Sequence, residues 1–95
     1  MKRVSDTLSP ETVATRALSF LAADFERLGR FLALSGLDPA TIRQAARDPA
    51  FLPAVLDHLL GDERLLLAFS ESEGLRPETV AEARRAFEDQ PYDLD

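Results

Sequence analysis

His58 is the only histidine of the chain, and Asp57 stands directly before it. These are the residue types of an acid–base pair, but neighbouring positions on a helix do not face one another, so no oriented pair results. His58 therefore reads as a stabilised boundary histidine rather than a ligand or general base. Ser70 and Ser72 offer hydroxyls, yet a Ser–His–Asp arrangement would need three scattered residues to converge, and the spacing identifies no partner for either serine. Asp62-Glu63 and Glu71 with Glu73 are the densest carboxylates near these groups. They fit favourable charge at a helix start and a solvated surface. No His/Cys cluster, EF-hand loop, Walker A segment or dinucleotide-binding glycine pattern occurs. No catalytic, cofactor-binding or metal-binding residue is assigned, no cofactor is expected, and the chain reads as a non-enzyme.

A nucleic-acid reading rests on Arg43, Gln44 and Arg47, which would lie on the second helix of a helix-turn-helix. Major-groove readers carry more basic support than two arginines. Nucleic acid is thus the disfavoured alternative. It is disfavoured further by a net charge of −6 concentrated in residues 57–95, where eleven acidic groups face four basic ones. Residues 1–30 balance at +1, with five basic and four acidic groups. A phosphate backbone, bound through counterion release by Lys and Arg, is repelled by such a second half.

The elements that position these residues are punctuated clearly. Ser9-Pro10, Asp38-Pro39 and Asp48-Pro49 each set a capping side chain before a proline at the first helical position. Arg76-Pro77 keeps the proline without the capping oxygen, and Asp24 and Asp62 read as caps without proline. Gly36, Gly61 and Gly74 stand where left-handed residues end helices. Six helical segments follow, at about 10–22, 25–35, 39–46, 49–60, 63–73 and 77–88, and no period-2 run predicts a strand. In the fourth, Leu52, Val55, Leu56 and Leu59 make a stripe of helical period, widened by Phe51 and Leu60. Ile42, Ala45 and Ala46 are the inward residues of the short third segment. The fifth, with Leu65, Leu66, Leu67, Ala68 and Phe69, is apolar nearly all round and predicts a centrally buried hub, the alternative being that one side stays exposed as a docking face. The sixth offers only Val80, Ala83 and Phe87 and predicts a lid.

Gly36-Leu37-Asp38-Pro39-Ala40-Thr41-Ile42 returns 38 residues later as Gly74-Leu75-Arg76-Pro77-Glu78-Thr79-Val80, and Asp24, Leu28 and Phe31 fall on Asp62, Leu66 and Phe69. A period in this range points to stacked helical units, here joined near Arg47-Asp48. Each unit is a helix, a glycine stop, a leucine folding back on the helix it leaves, and a proline that starts the next helix. Gly29 and Arg30 become Leu67 and Ala68 in the second copy. A mid-helix glycine costs about 1 kcal/mol against alanine unless it admits a close neighbour, so Gly29 predicts a tight helix crossing and a disruptive Gly29→Leu change.

Glu11-Thr12-Val13-Ala14-Thr15-Arg16-Ala17-Leu18, Glu26 to Leu32 with Gly36-Leu37-Asp38-Pro39, and Asp48-Pro49-Ala50-Phe51-Leu52 through Leu59-Leu60-Gly61-Asp62-Glu63 together resemble a family. It is a family of short all-helical proteins of unknown function, found mainly in alphaproteobacteria. The resemblance covers about residues 10–88 and brings no activity. Members usually carry proline after the aspartate where this chain has Phe25. That leaves open whether helices one and two are separate or run together through a kink. The resemblance also carries a hint of signalling, through genes lying near response-regulator genes.

The expected fold is all-α: a single-domain bundle of five or six short helices with a pseudo-duplicated helix–corner–helix unit. Residues 1–8 are expected to form a flexible arm, 9–88 the domain and 89–95 an acidic tail. No apolar run approaches a membrane span, and no apolar stretch follows Lys2-Arg3 to make a secretory signal. The absence of cysteine fits a reducing compartment. A cytoplasmic interaction module is expected, with an unknown protein partner of basic character and no membrane. Oligomeric state is not specified by the sequence.

Overall fold

A computed structural model describes residues 8–89, which form six short helices joined by tight corners. These are α1 (Pro10–Ala22), α2 (Phe25–Ser35), α3 (Ile42–Ala45), α4 (Phe51–Leu60), α5 (Glu63–Glu73) and α6 (Pro77–Asp89). A 3₁₀ turn, Pro39–Thr41, precedes α3. No strand occurs among the described residues, so the expected all-α single domain is what the chain forms. Apart from Leu8 and Asp89, the expected N-terminal arm and acidic tail lie outside the described residues.

The capping residues act largely as their types dictate. The Ser9 hydroxyl accepts from the Thr12 N–H, the Asp24 carboxylate from those of Glu26 and Arg27, and the Asp62 carboxylate from that of Leu65. Each satisfies a donor that the first turn leaves without a partner. Asp24 is extended (φ −132°, ψ 115°), so α1 and α2 are separate helices with a clean break rather than one kinked rod. Asp48 departs from expectation. Its carboxylate accepts from Ala50 N–H in a turn, and α4 starts two residues after Pro49, at Phe51. Pro53 is then tolerated in the first turn, where its missing N–H has no partner to lose.

Both glycine corners of the repeat are built alike. Gly36 (φ 72°) and Gly74 (φ 68°) take the left-handed conformation. Leu37 N–H donates to Leu32 C=O at 2.9 Å, and Leu75 N–H to Ser70 C=O at 3.0 Å. These are the long-range bonds of a Schellman end, and they close the helix before the chain turns. Gly61 is different: its φ of −84° is right-handed, because Asp62 rather than Gly61 makes the break into α5. The third segment also differs from the expected continuous helix. The 3₁₀ turn and one-turn α3 leave Ile42 and Ala45 half-buried and Ala46 exposed.

The core is made by α1, α4 and α6, which pack on one another. They contribute Val13, Ala14, Ala17 and Leu21; Phe51, Val55, Leu56 and Leu59; and Val80, Ala83 and Phe87. The repeat-related Phe31 and Phe69 are both fully buried, edge-on to Phe51 and Phe20 respectively. Two expectations are corrected. Among the fifth segment's apolar run only Phe69 is buried, Leu67 is 49% exposed, and α5 flanks the core instead of forming its hub. α6 is no lid but one of the three central helices. The apolar run misled because it counted residues rather than directions. Leu67 points away from the side that holds Phe69, and α4 already fills the centre.

Candidate functional site

Gly29 is not a crossing point. A Cβ built on it meets no atom within 4 Å, and the residue is exposed. Nor do Ser70, Ser72, His58 and Asp57 converge. Ser70 is buried with its hydroxyl unpaired, in the place Leu32 holds in the first copy, and Ser72 is exposed. Asp57 turns to α6 instead of to His58, accepting from Arg84 Nε at 2.8 Å, and Arg84 also pairs with Glu88 at 3.2 Å. Among the described residues no group of three or more His, Cys, Asp or Glu could hold a metal ion. Arg43 and Gln44 are exposed, but the helix that carries them is a single turn.

The residues that do gather lie between α2, α4 and α5. Arg27, Arg30 and Leu34 occupy one face of α2 by their i, i+3, i+7 spacing. Two adjoining surface recesses, of about 440 and 370 Å³, share Arg30, His58 and Asp62 as walls. Leu34, Asp57 and Glu63 complete the first, and Arg27, Arg64, Leu65 and Ala68 the second. Together they form one open cleft running across the α4–α5 corner.

His58 stands half-buried in this cleft, its ring edge-on to Phe31 with centroids 5.1 Å apart. Burial pushes its pKa below the ordinary imidazole value of 6.5; Asp62 pulls it back up and Arg30 lowers it further. Charge placement is uneven. Arg27 is ordered over the Phe20 ring, 4.5 Å from its centroid. Arg27, Arg30 and Arg64 make no ion pair among the described residues, whereas Arg16 and Arg84 both do. Asp62 already caps α5, and Asp57 is taken by Arg84. A chain of net charge −6 thus keeps three guanidinium groups without an ion pair among the described residues around one half-buried imidazole. Such a surface can hold anions and aliphatic side chains, and it presents no nucleophile hydrogen-bonded to a base.

Sequence reasoning missed this cluster because it summed charge by segment. The usable signal was Arg27 with Arg30 on one helical face, and the 38-residue repeat, which lays Glu26 onto Arg64 and so reverses the charge at that place.

No helix among the described residues is long and apolar enough to cross a membrane. No curated protein and no solved structure matches the chain. A family described as a protein of unknown function (DUF3572) matches residues 8–90.

Proposed function

Since the chain belongs to that family of unknown function, its own geometry has to supply the reading, and we propose that it is a non-enzymatic protein-interaction module of the cytoplasm. One observation carries this: α2 leaves two large apolar side chains uncovered, Phe25 at 90% and Leu34 at 70% exposure. They stand at opposite ends of the helix, and Leu34 forms the rim of the α2–α4–α5 cleft. Single exposed apolar residues are ordinary, but here one borders a recess adjoining a second that has apolar walls in Leu65 and Ala68. The acidic surface supports a basic partner as well. Glu71, Glu78, Glu82, Glu88 and Asp89 are all exposed on α5 and α6, and contacts made there weaken with salt. A signalling setting fits a small module of this kind.

The test is differential capture from native lysate at low salt with wild type, Phe25→Ser, Leu34→Ser and the double variant. Both positions are exposed, so folding is unaffected. A protein retained by wild type and lost by the double variant is the expected result. Identical capture by all four, or none, removes the proposal.

A further inference from the structure

We propose that the α2–α4–α5 cleft binds an acidic segment of a partner protein, its Asp and Glu carboxylates held by Arg27, Arg30 and Arg64 and its aliphatic side chains laid against Leu34, Leu65 and Ala68. The assignment rests on the interaction-module reading and adds the chemistry of the partner.

Charge complementarity is the argument. Guanidinium groups are strongly favoured partners for carboxylates because their planar forks donate two parallel hydrogen bonds. In this chain the carboxylates within reach of the cleft are committed elsewhere: Asp57 to Arg84 and Asp62 to the α5 N-terminus. Glu63 alone remains, against three arginines. Arg27, stacked on Phe20, is already held in place, which lowers the ordering cost of binding. The surrounding surface decides between polyanions. A nucleic-acid strand extends beyond the cleft and meets the acidic α5 and α6, whereas a short peptide spans only the recess that holds the three arginines. The apolar walls also suit leucine-like side chains better than sugar and phosphate.

His58 supplies a second readout. The charged groups around it are Arg30 from α2 and Asp62 from the α4–α5 turn, with Arg27 and Arg64 lining one of its recesses and Asp57 and Glu63 the other. A bound carboxylate adds to the pull of Asp62, raises the affinity of the imidazole for a proton and so couples binding to proton uptake. Binding of an acidic peptide therefore tightens as pH falls from about 8 to about 6.

The experiment uses the full chain and a fluorescein-labelled peptide of alternating Glu and Leu, followed by anisotropy. Its controls are a Gln-for-Glu peptide, a Lys-for-Glu peptide and a short single-stranded DNA. The Glu peptide is expected to bind, with Arg30→Gln and Arg64→Gln each weakening it about tenfold, the loss of one charge-assisted contact, at unchanged melting temperature. His58→Gln is expected to abolish the tightening at lower pH. Equal binding of the Gln peptide, indifference to the arginine variants or no binding at all overturns the assignment. DNA binding tighter than the peptide overturns it in favour of nucleic acid, and arginine-dependent self-association in sedimentation overturns it in favour of a second copy. A lysate partner that depends on Leu34 and Phe25 but ignores the arginines would leave the interaction module standing and remove only the acidic segment.

Discussion

Replacing Gly29 should stabilise the protein. The residue sits in the interior of an 11-residue helix with nothing within 4 Å of where a Cβ would lie. Its φ is not positive, so neither space nor backbone conformation calls for glycine there. What remains is the helix-propensity cost, about 0.8–1 kcal/mol against alanine. Part of that gain comes from the unfolded chain, which has fewer conformations to lose once a Cβ is present. For a domain of this length about 1 kcal/mol corresponds to a rise in Tm of roughly 4–8 °C. Gly29→Leu should gain nearly as much, since leucine is also a good helix former and the second copy already carries Leu67 at this place, 49% exposed. Thermal melting by circular dichroism, checked by urea denaturation, measures both. If Gly29→Leu melts several degrees below wild type, some element does pack closely on this face of α2. The assignment of the glycine to open solvent would then be wrong.

Gly36→Ala and Gly74→Ala should each lower stability by about 1–2 kcal/mol, because alanine is strained at their positive φ. Gly61→Ala, at φ −84° with its nearest neighbour 3.4 Å away, should not; a loss at Gly61 as large as at the other two would contradict the conformations described. His58 makes stability depend on pH in one direction. Its pKa is lower in the folded protein than the ordinary 6.5, so the unfolded chain binds the proton more readily. The stability present above that value is lost as pH falls through it towards the depressed folded pKa. Urea midpoints at about pH 7.5, 6.5 and 5.5 should decline for wild type and stay flatter for His58→Gln, and parallel lines for the two proteins would refute the linkage.

Local rules carried the helix ends. Ser9, Asp24 and Asp62 bind orphan N–H groups within three residues, and Gly36 and Gly74 answer to φ alone, so a reader of short windows finds them. Centre and edge were not legible in the same way. Leu65, Leu66 and Leu67 form a longer apolar run than any in α6, yet α6 enters the core and Leu67 faces outwards. Which helix is central follows from how three distant segments fit together, and periodicity within one segment holds no record of that. The same holds for the cleft. Arg30 is far in the chain from His58 and Arg64, and it meets them only because α4 ends between α2 and α5. Asp48 shows the smaller failure: its oxygen does bind a backbone N–H, but of a turn that precedes the helix.

The central place of α6 has a consequence during synthesis. Ribosomes make the chain from α1 onwards, and α6 is the last of the described helices to be made. Until Val80, Ala83 and Phe87 arrive, the apolar faces of α1 and α4 that pack against them lack their cover. At roughly 5–20 residues per second, α6 takes on the order of a second to be polymerised. For that interval the nascent chain is a substrate for chaperones and proteases. A frameshift just before residue 77 would leave five helices intact in sequence and a product whose core lacks one of its three central helices.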